Sequence, residues 1–293
     1  MQLAARTGAW TKSGSPTPAA YGGLRFTAES VNSSVQLTAV GSAPAVTLVK
    51  SFDGVNWEYY AVGEVIELPS IGKYVYLAAG ESGNETFGSS ASDYHKFVIN
   101  GLVAASGDIT SLISFDLEHT TLAAYCYSRM FYGCTGLTSA PELPATTLAN
   151  FCYLYMFYGC TGLTSAPELP ATTLANFCYN SMFYGCTGLT SAPELPATTL
   201  AGSCYSRMFY GCTGLTSAPE LPATTLAGSC YNSMFYGCVQ LSLIKVHFTA
   251  WGSQTTKWIS NVSPTGTFCK PRVLTEEYGD GKIPTGWTVV DID

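Results

Sequence analysis

Two hydrophobic patterns divide this chain. Between residues 24 and 103, short stretches alternate apolar with polar residues and are separated by Gly, Pro, Asn and Asp turns: LRFTAE, SVQLTAV, AVTLVKSF, WEYYAV, VIELP, KYVYLAAG and HKFVIN. Alternation with a period of two is the pattern of a strand with one buried face. Regularly spaced short strands predict a small antiparallel, Ig-like β-sandwich over residues 23–105.

The second pattern is a tandem repeat. The segment MFYGCTGLTSAPELPATTLA occurs unchanged from four starts, Met130, Met156, Met182 and Met208. A fifth, diverging copy starts at Met234, and the period is 26 residues. A fixed period of about 20–29 residues is typical of a leucine-rich-repeat solenoid, in which each unit buries its apolar face against its neighbours.

Each repeat unit divides into a predicted helix and a predicted strand. Leu148, Cys152 and Met156 recur at i, i+4 and i+8, which predicts a helix over residues 148–158 that ends at Gly159. Residues 163–169 form a short extended piece, confined by prolines that cannot donate to a strand ladder. The predicted fold class is therefore mixed α and β: the sandwich, then a leucine-rich-repeat-like solenoid of strand-helix units over residues 106–250, with about six rungs and five helices.

The ends of the chain lack both patterns. Residues 1–22 are rich in Ser, Thr, Pro, Ala and Gly, which predicts a flexible arm or linker. Large apolar residues recur in a turn-rich segment after the last repeat: Trp251, Trp258, Phe268, Ile283 and Trp287. Because an open solenoid end exposes its core, residues 251–293 are predicted to be a C-terminal cap.

The repeats differ at two dipeptides, which lie four residues apart. The first is Ala124-Tyr125, Asn150-Phe151, Asn176-Phe177, Gly202-Ser203 and Gly228-Ser229, and the second is Ser128-Arg129, Leu154-Tyr155, Asn180-Ser181, Ser206-Arg207 and Asn232-Ser233. On the predicted helix both dipeptides face away from the apolar stripe. Either these positions are solvent-exposed and their sequence varies freely, or they form a contact surface on the convex side whose specificity the variation adjusts.

Composition narrows the possible partners. Charged residues make up 11% of the chain and the formal net charge is -7, so no basic stripe is available to neutralise phosphates and nucleic acid is not expected as a partner. No run approaches the ~18 apolar residues that a membrane span requires. No secretory signal pattern is visible at the start of the sequence.

The cysteines follow the repeat rather than a disulfide framework. Ten of the 11 lie in register with a C-x7-C spacing, which on a helix separates the two Cα atoms by about 12 Å, beyond the disulfide limit near 7 Å. We expect ladders of small, buried, free thiols. No C-x2-4-C pair accompanies the scattered histidines, so neither a metal nor any other cofactor is predicted.

One set of charges is multiplied by the repeat. The candidate ligand-binding residues are the regularly spaced carboxylates Glu142, Glu168, Glu194 and Glu220, with Asp116 in the same register. Carboxylates stacked some 5 Å apart repel, so they either splay into water or share a cation or a basic partner. Two tyrosine ladders, from Tyr153 and from Tyr158, are either core residues or stacking platforms for sugars.

The repeat resembles a known family. The segment MFYGCTGLTSAPELPATTLA, with the trailing GTFCKP and IPTGWTVVD, is similar to BspA-like leucine-rich repeat proteins of gut and oral bacteria and some of their phages. The residues that carry the resemblance are Phe157-Tyr158-Gly159-Cys160 and Leu163-Thr164-Ser165. The resemblance covers about half the chain and implies a surface-exposed adhesion or receptor-binding protein, with no catalytic or metal residues to carry over.

These patterns lead to one functional expectation and two alternatives. We expect a non-enzymatic adhesion or receptor-binding protein that presents its repeat surface to a glycan or protein on another cell. It would be extracellular, on a bacterial cell surface or in a phage virion, without insertion into a membrane. The alternatives are a structural phage tail or virion component with the repeats as its host-recognition tip, and a glycan-processing enzyme. The sequence does not indicate an oligomeric state.

Overall fold

The computed structural model describes residues 21–117 and 121–292. This part of the chain is built from strands and turns, and it contains no α-helix. Its helical segments are two short 3₁₀ turns, Ile109–Leu112 and Ser253–Thr255. The prediction of a leucine-rich-repeat-like solenoid of strand-helix units is therefore wrong. The arm predicted at residues 1–22 lies outside the described residues, except for its last two.

Eight strands form the N-terminal region. They are β1 Arg25–Ala28, β2 Ser33–Val40, β3 Leu48–Ser51, β4 Glu58–Tyr60, β5 Val65–Leu68, β6 Tyr74–Ala79, β7 Tyr94–Asn100 and β8 Val103–Ser106. Each of the seven alternating stretches coincides with one of these strands to within a few residues, and β8 is additional. They divide between a sheet of order β5-β2-β7 and a larger sheet that begins β4-β3-β6-β1-β8. Phe26 of β1 packs edge-to-face on Phe97 of β7, which joins the two sheets in one core.

The larger sheet continues into the first repeat. Strand β9, Leu137–Ser139, pairs in parallel with β8, with Val103 opposite Leu137. A Cβ atom at Gly136 would collide with the carbonyl oxygen of Gly101, so this close approach requires glycine. The core is also continuous, because Phe131 of the first repeat stacks on Phe97 at 5.2 Å. The repeats are thus stacked directly on the N-terminal sheets.

Residues predicted to be helical form a chain of four-residue turns instead. Backbone N–H groups alternate between two acceptors: that of Tyr127 donates to the carbonyl of Cys152 in the next rung at 2.8 Å, whereas that of Ser128 donates back to Tyr125 at 3.0 Å. Every fourth residue has a positive φ, as at Tyr125, Arg129 and Gly133, with φ of 60°, 60° and 74°. The same pattern recurs in the following four repeats.

The spacing of the rungs explains why a helix does not form. The rings of Tyr158 and Tyr184, equivalent residues in adjacent repeats, stack with centroids 4.5 Å apart. Packed helices need about 8–10 Å between their axes, whereas hydrogen-bonded strands lie about 4.8 Å apart. A turn chain fits the shorter spacing because half of its N–H groups remain free to bond the next rung. Turns that recur every four residues also reproduce the i, i+4, i+8 apolar spacing that indicated a helix.

The opposite side of each rung is more weakly hydrogen-bonded. The predicted strand contains β9 in the first repeat, but in the middle repeats its N–H···O bonds are few, such as Thr190 to Thr164 at 3.4 Å. Two prolines per rung remove donors there. A ladder resumes at β10, Leu243–Lys245, which forms a parallel sheet with β11, Thr267–Lys270, and β12, Thr288–Asp291.

The C-terminal segment adds one more turn chain that the sequence did not reveal. The N–H of Ser233 donates to Thr256 at 2.9 Å and that of Phe235 donates to Trp258 at 2.7 Å, so this segment stacks on the last repeat. Lys257 has a φ of 53°, as the equivalent repeat residues do. Trp258 is fully buried against Tyr231. The turn geometry of the rungs therefore continues into a C-terminal segment that lacks the repeat sequence.

Candidate binding surfaces

The predicted acidic column lies exposed along the proline-rich side of the rungs. Its members are Glu142, Glu168, Glu194 and Glu220. A shallow cavity of about 530 Å³ separates the first two, with prolines along its walls. The residues that line it are Ala140, Pro141, Glu142, Leu143, Pro144, Pro167, Glu168 and Pro170.

The column is not electrostatically uniform. Glu220 accepts from the Lys245 Nζ at 3.0 Å and contacts the His247 Nε2 at 2.6 Å. Hydrogen bonds from Lys245 and then from His247 lower the pKa of the Glu220 carboxyl. Among the described residues, Glu220 is the only one of the four found in a salt bridge. The carboxylate of Glu220 is therefore paired with two residues of the following rung. Asp116 does not continue the column as the register predicted, because the backbone of Glu142 pairs with that of Asp108 in the preceding rung.

A second surface runs along the turn side and contains the tyrosine ladder that includes Tyr158. Half-buried tyrosines stack there in a column, with centroid separations of 4.5–4.8 Å and interplanar angles of 5–12°. The column consists of Tyr132, Tyr158, Tyr184, Tyr210 and Tyr236. Because each ring face is covered by the next ring, the column presents ring edges to solvent. Of the two alternatives for this ladder, the stacking of sugars on the ring faces is therefore blocked.

Beside this column runs another, formed by the residues with positive φ. Its members are Arg129, Tyr155, Ser181, Arg207, Ser233 and Lys257. The two columns enclose a cavity of about 500 Å³, which we call the tyrosine groove. Its lining residues are Tyr155, Tyr158, Ser181, Tyr184, Arg207, Tyr210, Ser233, Tyr236 and Lys257.

The variable dipeptides do not lie on one solvent-exposed face, as the sequence suggested. Both residues of each pair were expected on a solvent-exposed convex face, but the first residue of the second dipeptide is buried in four of the five repeats and half-buried at Asn232. Ser128, Leu154 and Asn180 are at most 8% exposed. The second residue lines the groove, as Arg207 does. Sequence variation in the repeats therefore changes the core and the groove together.

The tyrosine groove is cationic, although the chain as a whole is acidic. Arg207 and Lys257 are exposed, and none of the nine lining residues is acidic. Arg129 is already engaged, since its guanidinium lies 4.7 Å from the ring centroid of Tyr155 and donates to the Ala91 carbonyl at 2.6 Å. Partial burial, followed by the neighbouring Tyr158 and Tyr210, raises the pKa of Tyr184, so that this phenol stays protonated in more alkaline solution than an exposed one.

A third surface is a short aromatic stack at the first variable dipeptide. The rings of Tyr125, Phe151 and Phe177 stack with centroids 4.6 and 4.9 Å apart. The outermost ring, Phe177, is 37% exposed. Ser203 and Ser229 occupy the next two rungs, so the stack ends at the third repeat.

The repeat thiols are buried, which limits their reactivity. The Sγ of Cys160 donates to the carbonyl of Phe131 at 3.0 Å, and later repeats make the same contact. Burial raises the pKa of Cys134 and of Cys186 to about 12, so almost no thiolate is present at neutral pH. All eleven cysteines are free. The separation expected from helical geometry does not apply, since the residues between the two cysteines form turns.

The Asp-Gly turn at residues 51–57 is closed on itself. The carboxylate of Asp53 accepts from the N–H groups of Val55 and Asn56, each at 2.8 Å, and these bonds lower its pKa. Trp57 is folded back and buried against Tyr21. Such a turn uses its carboxylate to hold the backbone. Within the described residues, no group of three or more potential metal ligands is found.

Comparison with known proteins gives no family for the chain. No family model matches it, and neither a curated protein nor a solved structure matches it. In the part of the chain that the structure describes, no helix is long and apolar enough to cross a membrane. Function is therefore inferred from the surfaces themselves.

Proposed function

We propose that this chain is a non-enzymatic adhesion or receptor-binding protein that presents its repeat surface to a glycan or protein on another cell. One observation carries the proposal: the rungs repeat the same half-buried tyrosine at steps of 4.5–4.8 Å, on a backbone whose turn side is hydrogen-bonded from rung to rung. A surface of this kind offers a polymeric ligand the same contact several times. Contacts that are individually weak then add along the array.

The reactive groups that the repeat multiplies support binding rather than catalysis. The thiols are buried and protonated, so they are poor nucleophiles. The carboxylates of the acidic column are exposed. A single ion pair between an exposed carboxylate and a ligand contributes little binding free energy in water. We further propose a location on a bacterial surface or in a virion, which rests on the resemblance of the repeat to BspA-like proteins.

The test is saturable binding of the fluorescently labelled full chain to intact cells. Bacterial and animal cells would be compared before and after protease treatment, which removes surface proteins, and after periodate treatment, which oxidises glycans. The proposal expects saturable binding to at least one cell type, with loss of binding after one of the treatments. Binding that never saturates on any cell type, or that survives both treatments, would contradict it.

A further inference from the structure

The tyrosine groove combines a row of phenols with two exposed cations. One wall repeats a tyrosine at every rung, in steps of 4.5–4.8 Å. The other wall carries Arg207 and Lys257, which lie two rungs apart, or about 9 to 10 Å at strand spacing. We propose that the groove binds a linear anionic polysaccharide laid along the array, a proposal that rests on the adhesion function above.

The tyrosine wall suits a ligand with many hydroxyl groups. A phenol donates one hydrogen bond and accepts others, so a row of them complements sugar hydroxyls in either direction. The floor of the groove is low at Ser181 and Ser233, whose small side chains are at most 8% exposed. Their hydroxyls lie 3.1 and 3.2 Å from the side-chain oxygens of Asn180 and Asn232. The hydroxyls that face a ligand therefore belong to the tyrosine wall. Tyr184 also hydrogen-bonds to Tyr158 and Tyr210 there, and its oxygen can accept a further hydrogen bond.

The cations indicate a ligand that carries acidic groups at intervals. The whole chain has 13 Lys and Arg residues against 20 Asp and Glu, yet no carboxylate lines the groove. A guanidinium binds a carboxylate or sulfate through two parallel hydrogen bonds, and an ammonium binds either as a point charge. Between Arg207 and Lys257 the intervening rung has Ser233 in the same column. Two acidic groups of a ligand that are separated by two rungs would therefore meet one cation each.

The same geometry disfavours other polyanions. Single-stranded nucleic acids bind by stacking bases on exposed aromatic faces, but the tyrosine faces here cover one another. Nucleic acids also require many cations, and the groove has two exposed ones. An acidic peptide would pair with the cations but would leave the row of phenols without matching hydroxyls.

The test measures binding of defined polymers to the full chain and its variants. The probes are polygalacturonate, which carries carboxylates, dextran sulfate, which carries sulfates, and neutral dextran, with polyglutamate and single-stranded DNA as other polyanions. In the first variant, Arg207→Ser is combined with Lys257→Ser. Serine already occupies the equivalent positive-φ positions at Ser181 and Ser233, so the fold is retained. Tyr184→Phe combined with Tyr210→Phe removes two hydroxyls and keeps the stacked rings.

We expect saturable binding of polygalacturonate or dextran sulfate and none of dextran, and the preferred polymer identifies the acidic group. The double cation variant should bind about tenfold more weakly with a flatter salt dependence. The double phenylalanine variant should lose about three- to tenfold with its salt dependence unchanged. Lys73→Ser, an exposed cation in the turn before β6, is the matched control and should bind as the parent does.

Several results would overturn the proposal. These are no binding of either acidic polysaccharide, equal binding by the double cation variant, or tighter binding of polyglutamate or DNA than of the polysaccharides. The cell assay separates this failure from failure of the adhesion function. If the double cation variant binds cells as tightly as the parent, adhesion stands and the groove assignment falls. If the parent binds no cells, adhesion itself is wrong.

Discussion

A glycine substitution at Ser229 distinguishes a turn chain from a helix by the sign of its effect. Ser229 is exposed and has a φ of 54°, in the left-handed region. A side chain with a Cβ costs about 1–2 kcal/mol in that conformation, and glycine removes this cost. Glycine also loses about 0.5–1 kcal/mol through the greater freedom of the unfolded chain. Ser229→Gly should therefore be more stable than Ser229→Ala, by about 0.5 to 1 kcal/mol.

In an α-helix the order of the two variants is reversed, because glycine is about 1 kcal/mol worse than alanine at an interior position. The assay is urea unfolding of both variants, in which the midpoint shifts while the slope stays constant. Gly228, the preceding residue, provides a control, since its φ is not positive and a Cβ there would meet nothing within 4 Å. Gly228→Ala should stabilise the chain by about 0.4–1 kcal/mol. If Ser229→Ala equals or exceeds Ser229→Gly in stability, the turn chain is refuted.

Three further predictions concern the stacking of the rungs. Deleting one period, residues 156–181, should leave a folded chain that unfolds cooperatively, because each turn chain keeps an equivalent neighbour. Deleting residues 156–168 should unfold the chain, and the stacking is contradicted if both deletions unfold it equally. Gly188→Ala should destabilise the chain by about 1–3 kcal/mol in urea, since its Cβ would lie 2.6 Å from the Thr161 carbonyl oxygen; an unchanged midpoint would contradict the close approach. The ten buried repeat thiols should react slowly with a maleimide in the native state, because burial keeps them protonated, and almost completely in denaturant without reductant. Disulfides detected by mass spectrometry would contradict this.

The sequence indicated strands where side-chain alternation is the direct consequence of one buried face. Ile66 and Leu68 of β5 are buried while Val65 and Glu67 are exposed, so the period of two is visible in the letters themselves. The 26-residue period was equally visible, and equivalent residues do meet across adjacent rungs. Both features are periodic patterns of residue types, which can be recognised in a single sequence.

The helix prediction failed because two conformations share one apolar spacing. Residues Cys152, Met156 and Cys160 are buried at intervals of four, which fits both a helical stripe and a succession of four-residue turns. The difference lies in the sign of φ at Phe151 and Tyr155, residue types that rarely adopt positive values. Their conformation is stabilised by hydrogen bonds to the next rung, and such contacts between rungs leave no mark within one repeat.

The candidate site was only partly visible for the same reason. The acidic column and the tyrosine ladder could be read from their register, but the partition of the variable dipeptides between core and groove depends on the turn geometry. Lys257 was missed altogether, because it follows the equivalent Ser233 by 24 residues rather than 26 and no repeat sequence surrounds it. A rung that shares only backbone geometry with its neighbours gives no sequence signal.

The most direct test of the proposed function is the dependence of cell binding on the number of rungs. Binding isotherms would be measured for the full chain, for the chain without residues 156–181, and for the chain without residues 156–207, on the cell type that the full chain binds best. Thermal unfolding would verify that each shortened chain is folded. Because the repeat surface is proposed to supply the contacts, the apparent Kd should rise with each period removed. An apparent Kd that stays unchanged in both folded, shortened chains would contradict the claim that the repeat surface binds the cell.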